Sequence, residues 1–103
     1  MNKKGKTMPY TIPQIKSVVA PIAESFGVKR VALFGSYARG EQTENSDIDF
    51  IIDKGSLYGF AFFGLIEELK NRFQKNVDVV TYSSLENSLI KDVIGDEVVI
   101  YEE

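Results

Sequence analysis

With 103 residues, 44% of them hydrophobic, and a formal charge of −3, the chain has room for one domain and one core, and none for a second domain that would bind an acceptor. The mild charge, spread along the chain without a run of like sign, argues against a dedicated nucleic-acid binder. With neither cysteine nor histidine, disulfides, thiolate metal sites and an imidazole base are excluded, so any metal must be a hard cation on oxygen ligands.

Residues 1–8 place Lys3, Lys4 and Lys6 among small polar neighbours with nothing to bury, which predicts a flexible basic tail ahead of a single domain over 9–103. Thr11 with Gln14 three residues on reads as a capping box, and Ile12, Ile15, Val18, Val19, Ile22 and Phe26 follow at helical spacing. Pro13 fits the first turn, Pro21 should kink or shorten the helix, and Gly27 should end it. The run 30–34 (RVALF) is nearly continuously apolar and predicts a buried central strand closed by Gly35. A helical turn over 36–40 and a polar loop over 41–45 are expected next.

The stretch 47–53 (DIDFIID) alternates, with Asp47, Asp49 and Ile51 on one face and Ile48, Phe50 and Ile52 on the other, as a strand requires. Phe62, Ile66, Leu69 and Phe73, broadened by Phe63 and Leu65, predict a well-buried amphipathic helix over 57–73. A third strand is expected at 76–81. Ser84 can cap a last helix through Leu85, Leu89, Ile90, Val93 and Ile94, stopped by Gly95, before a terminal strand at 98–101. Alternating strands and helices make an α/β or α+β sheet with packed helices. No apolar run approaches membrane length, and the opening lysines precede no apolar signal segment, so a cytoplasmic protein is expected.

Asp47 and Asp49, two apart on a strand, hold both carboxylates on one face within roughly 7 Å. Like charges so placed call for a cation, and all-oxygen ligation suits Mg²⁺, which keeps waters and completes its shell with phosphate oxygens. Asp78, between Val77 and Val79, could face the same site if its strand is a neighbour, and a third carboxylate would let two metal ions bind. Gly35-Ser36, between a strand and a helical start, can bring backbone N–H groups and a hydroxyl to phosphate. Ten residues separate Ser36 from Asp47, which puts the glycine-serine pair and the carboxylate pair at the ends of successive strands.

Gly35-Ser36-Tyr37-Ala38-Arg39-Gly40, Ser46-Asp47-Ile48-Asp49 and then Asp78 resemble the signature of the DNA polymerase β-like nucleotidyltransferase superfamily. The resemblance covers about 12–103, and its shortness is similar to the minimal nucleotidyltransferases. It implies a small mixed β-sheet flanked by helices, Mg²⁺ on Asp47, Asp49 and Asp78, and the triphosphate of ATP held by Gly35 and Ser36. Many small members of that family are antitoxins that transfer AMP from ATP to a tyrosine of a HEPN-domain ribonuclease toxin. A HEPN toxin is therefore the expected partner, with no direct nucleic acid, no membrane, and oligomerisation left open. Two rivals stand beside this reading: a binding module that neutralises its partner by contact, and the catalytic subunit of an antibiotic nucleotidyltransferase whose acceptor domain lies elsewhere.

Some residues carry two readings. Arg39 can contact nucleotide phosphates or form an ion pair that orients the aspartates. Glu41 and Asp53 read as solvated. Tyr58, Phe60, Phe62 and Phe63 read mainly as core, with Phe60, off the main stripe, the most exposed.

Overall fold

The computed structural model describes residues 9–85 and 95–103. The elements in order are α1 (Ile12–Phe26), β1 (Arg30–Phe34), α2 (Gly35–Arg39), β2 (Ile48–Asp53), α3 (Phe60–Phe73), β3 (Val77–Thr81), a 3₁₀ turn (Tyr82–Ser84) and β4 (Val98–Glu102). The expected basic tail and the part of the expected last helix at 86–94 lie outside the described residues.

Helix α1 opens on the capping box. Gln14 N–H donates to Thr11 Oγ1 at 3.2 Å and Thr11 N–H to Gln14 Oε1 at 2.8 Å, so two otherwise unpaired amides find partners. Pro21 does not shorten the helix, which runs on to Phe26. It is exposed, so the carbonyl freed by its missing N–H can be hydrated. Gly27, at φ 75°, then takes the left-handed conformation that ends the helix.

The four strands form one sheet in the order β3-β2-β1-β4. Strand β1 is antiparallel to both β2 and β4, while β2 and β3 are parallel, so the sheet is mixed, as expected. The parallel pair needs a crossover, and α3 supplies it. One face carries the core: Ile15, Val19 and Ile22 of α1 and Leu65, Leu69 and Phe73 of α3 close over Val31, Leu33, Ile48, Phe50, Ile52 and Ile100. Tyr10 extends this packing, its ring edge-on to Phe73 at 5.1 Å and its hydroxyl donating to the Phe73 carbonyl at 2.8 Å.

By strand alternation, Arg30, Ala32, Asp49, Ile51, Asp78 and Val80 share the other face. Ala32 and Ile51 are fully buried there as well. Along this face Arg30 bonds Glu97, the Tyr82 hydroxyl at 3.1 Å and Glu102 at 3.3 Å.

Several boundaries move, most by one residue, and three of the shifts bear on the site or the core. Strand β2 starts at Ile48, leaving Asp47 in the preceding loop. Helix α3 starts at Phe60, three residues after the expected start, because Gly59 at φ 68° interrupts the helical backbone. Ser84 closes a turn with Thr81, to which its hydroxyl donates at 2.9 Å. Phe63, expected in the buried stripe, is 60% exposed, beside Phe60 at 96% and Tyr58 at 74%. No helix among the described residues is long and apolar enough to cross a membrane.

Candidate active site

The turn from β1 into α2 begins at Gly35, whose φ of 72° favours glycine. A Cβ at this position would overlap Asp49 Oδ2 and crowd Asp49 Cγ at 3.2 Å. The register explains the closeness, since Phe34 lies opposite Asp49 in the β1–β2 ladder. The glycine therefore admits both a backbone conformation and a neighbouring carboxylate. Phe34, at the N-cap of α2, offers no side-chain hydrogen bond, so the first amides of this turn are not capped from within.

Strand pairing brings the acidic groups together. Asp49 and Asp78 are direct partners in the parallel β2–β3 ladder, and their side chains lie on the same face. The condition on which Asp78 depended, adjacency of its strand, is met. Asp47 sits in the loop before β2 and is exposed. The Asp49 carboxyl is half-buried and pushed up to about 6, first by burial, then by the charge of Asp78, a hydrogen-bonding contact with Asp78 and the charge of Asp47; Arg39 opposes the shift. Asp49 thus feels both Asp78 and Asp47 at one end of the sheet, and Arg39 does not offset them.

Among the described residues, however, no three acidic side chains stand close enough to form a ready cage for a metal ion. The two findings are compatible for Mg²⁺, which dehydrates reluctantly and is held by one or two carboxylates together with water and substrate phosphate. The paired Asp49 and Asp78 fit such an ion, with Asp47 near enough for its charge to reach Asp49. They would not fit one that needs a full protein shell.

Arg39 pairs with Glu41 at 3.0 Å and with Asp96 at 3.5 Å, all three groups substantially exposed. Its charge still reaches Asp49, so the structure brings it to the edge of the acidic group without an ion pair to Asp47 or Asp49. Ser36, half-buried, follows Gly35 at the same turn. The sequence-predicted residues Gly35, Ser36, Arg39, Asp47, Asp49 and Asp78 therefore gather at the end of the sheet where β1 leaves and β2 and β3 enter.

Two features escaped the sequence. Lys75 Nζ donates to the Ser46 carbonyl at 2.7 Å and the Glu44 carbonyl at 3.1 Å, and lies 5.9 Å from the centre of the Tyr37 ring. Tyr37, next to Ser36, is fully buried, and its hydroxyl has no hydrogen-bond partner among the described residues. A single lysine between a helix and a strand carries no spacing signal, and Tyr37 is apolar enough to pass as ordinary core.

Comparison with known proteins places the arrangement. The family model described as nucleotidyltransferase domain matches residues 15–101. A protein of Methanocaldococcus jannaschii, named as a candidate protein adenylyltransferase, is 44% identical over 91 residues, covering 85% of this chain and 95% of its own. The protein adenylyltransferase MntA of Thermococcus cleftensis is 34% identical over 95 residues, covering 87% and 96%. Among solved structures, a chain from the complex of a tri-AMPylated Shewanella oneidensis HEPN toxin with its MNT antitoxin superposes with a TM-score of 0.68 at 19% identity, over 90% of this chain and 74% of that one. That likeness is one of fold. With its sequence matched over most of its length, the chain belongs to the nucleotidyltransferase domain family and is an enzyme that transfers a nucleotidyl group.

Proposed function

We propose that the chain is a Mg²⁺-dependent cytoplasmic antitoxin that transfers AMP from ATP to a tyrosine hydroxyl of a HEPN-domain toxin. The observation that carries this reading is the direct pairing of Asp49 with Asp78, with Gly35 folded against the Asp49 carboxylate. The names of its relatives supply the transferred group, since protein adenylyltransferases match nearly the whole chain. The structural likeness to a chain from the complex of an MNT antitoxin with an AMPylated HEPN toxin supports a HEPN toxin as the acceptor.

In this mechanism Gly35 and Ser36 receive the triphosphate, through backbone N–H groups and the serine hydroxyl. Asp47, Asp49 and Asp78 would hold magnesium together with phosphate oxygens, and two ions are expected. Magnesium, when bound, would neutralise the triphosphate and the pyrophosphate that leaves. Asp78, exposed at the sheet edge, takes the proton of the attacking hydroxyl, as there is no histidine to do so. The hydroxyl oxygen bonds to the α-phosphorus in line with the bond to the β-phosphate, which breaks and releases pyrophosphate. The chain's contribution is alignment and charge placement. Arg39, loosely paired and exposed, is free to exchange Glu41 for a phosphate oxygen.

The test is incubation of the protein with ATP labelled at the α-phosphate, Mg²⁺ and the HEPN partner, beside the Asp47→Asn/Asp49→Asn double variant. Label on a partner tyrosine that disappears with the double variant is the expected result. Label that persists in the variant would exclude these carboxylates, and full neutralisation of the toxin without any label would favour the contact-only module.

A further inference from the structure

Of the three aspartates, Asp47 is the one outside a strand, and it is exposed. The loop before it is internally tied: Thr43 N–H donates to Ser46 Oγ at 2.9 Å, Ser46 N–H to the Thr43 carbonyl at 3.0 Å, and Asn45 N–H to Thr43 Oγ1 at 3.2 Å. These bonds shape the turn without fixing it to the domain.

Lys75 makes that attachment. Its ammonium holds the carbonyls of Glu44 and Ser46, and the Ser46 carbonyl belongs to the same rigid peptide unit as the Asp47 nitrogen. The charge lies over the face of Tyr37, a buried ring of α2 one residue beyond Ser36, at cation–π distance. Lys75 itself stands three residues before Asp78, and the neighbouring Asn76 carbonyl accepts from Ile48 N–H at 3.2 Å. One side chain thus links the loop of Asp47, the helix that follows Gly35 and the root of the strand that bears Asp78.

We propose that Lys75 is a positioning residue for the metal and nucleotide site, fixing the Ser46–Asp47 peptide so that the Asp47 carboxylate is presented to Mg²⁺. The proposal rests on the reading of Asp47 as a ligand given above. A direct phosphate contact is the rival role for a lysine here. Two of the three ammonium donors are already engaged by carbonyls, and the cation whose field reaches Asp49 is Arg39. Groups that orient metal ligands typically carry about 10–100-fold of metal affinity.

Two measurements on the full chain decide it, with Lys75→Met checked for folding by circular dichroism. Without metal, amide hydrogen exchange over 43–48 should quicken about tenfold in Lys75→Met while the exchange of β1 is unchanged. By calorimetry, the Kd for ATP in Mg²⁺ should rise about tenfold in Lys75→Met, the affinity in chelator should not change, and Lys75→Arg should recover most of the loss. Lys75→Gln, too short to hold both carbonyls, carries the same expectation if the methionine variant does not fold. Asp47→Asn runs in parallel. If it weakens Mg²⁺–ATP binding and the lysine variants do not, the positioning role is overturned while the ligand role stands. Equal losses with and without Mg²⁺ would make Lys75 a phosphate ligand and also overturn the proposal. If Asp47→Asn has no effect, the ligand reading fails and the proposal with it.

Discussion

At the scale of single residues, the site places acidic groups where the fold alone would not choose them. Asp49 is half-buried beside Asp78 and within the field of Asp47, and its carboxyl is raised to about 6. A raised carboxyl binds its proton more tightly in the folded than in the unfolded chain. Its stabilising contribution is therefore full below the unfolded value near 4 and is lost as pH rises through 6. In chelator at pH 7, Asp49→Asn should be more stable than the wild type by about 1 kcal/mol after discounting for solvent screening, or roughly 4–8 °C in melting temperature. The advantage should vanish towards pH 4. A thermal melt at the two pH values checks it, and a less stable variant at pH 7 would refute the electrostatic account.

The glycine-serine pair divides its work differently. Gly35→Ala must strain a φ of 72° and displace the Asp49 carboxylate, so transfer should fall by about 100-fold or more, comparable to loss of a preorganised charge-stabilising group. Ser36→Ala removes one hydroxyl and leaves the backbone amides, so a loss of about tenfold is expected. Steady-state transfer rates rank the two, and a serine variant as damaged as the glycine variant would contradict this division.

At the scale of elements, legibility in the sequence tracked how local the determining physics was. The α1 cap, its glycine stop and the strand β1 were readable because a side-chain bond, a left-handed backbone and an apolar run each act within a few residues. Helix α3 was readable along Leu65, Leu69 and Phe73, and Phe60 is exposed as its place off the stripe predicted, but the start of the helix was not readable, and Phe63, expected in the stripe, faces solvent. Periodicity reports which residues share a face and not how far the neighbouring element extends to cover it. Removing the buried anchor should show the difference: Phe73→Ala, which loses contacts with Tyr10 and Phe50, should cost about 3–5 kcal/mol, whereas Phe60→Ala should be close to neutral. Urea unfolding of the two variants measures both, and a large loss from Phe60→Ala in the isolated chain would be contrary to the observed exposure.

At the scale of the whole molecule, the sheet order turns separate motifs into one site. In sequence, Asp78 lies far from Asp49, and alternation alone could say only which way it points. The parallel pairing of β2 with β3 makes them direct partners, while the antiparallel pairing of β1 with β2 sets Gly35 against the same carboxylate. Long-range register of this kind is a pairing between segments distant in the chain, so it could not be read from spacing. The attachment of the Asp47 loop through Lys75 is non-local for the same reason.

The central claim, that the three aspartates serve one magnesium–nucleotide site, is tested most directly by calorimetric titration of ATP into the protein with Mg²⁺ and with chelator. The expected result is binding at least about tenfold tighter with Mg²⁺, with that dependence abolished in Asp47→Asn/Asp49→Asn. Equal affinity with and without the metal, or a double variant that keeps the metal dependence, would contradict it.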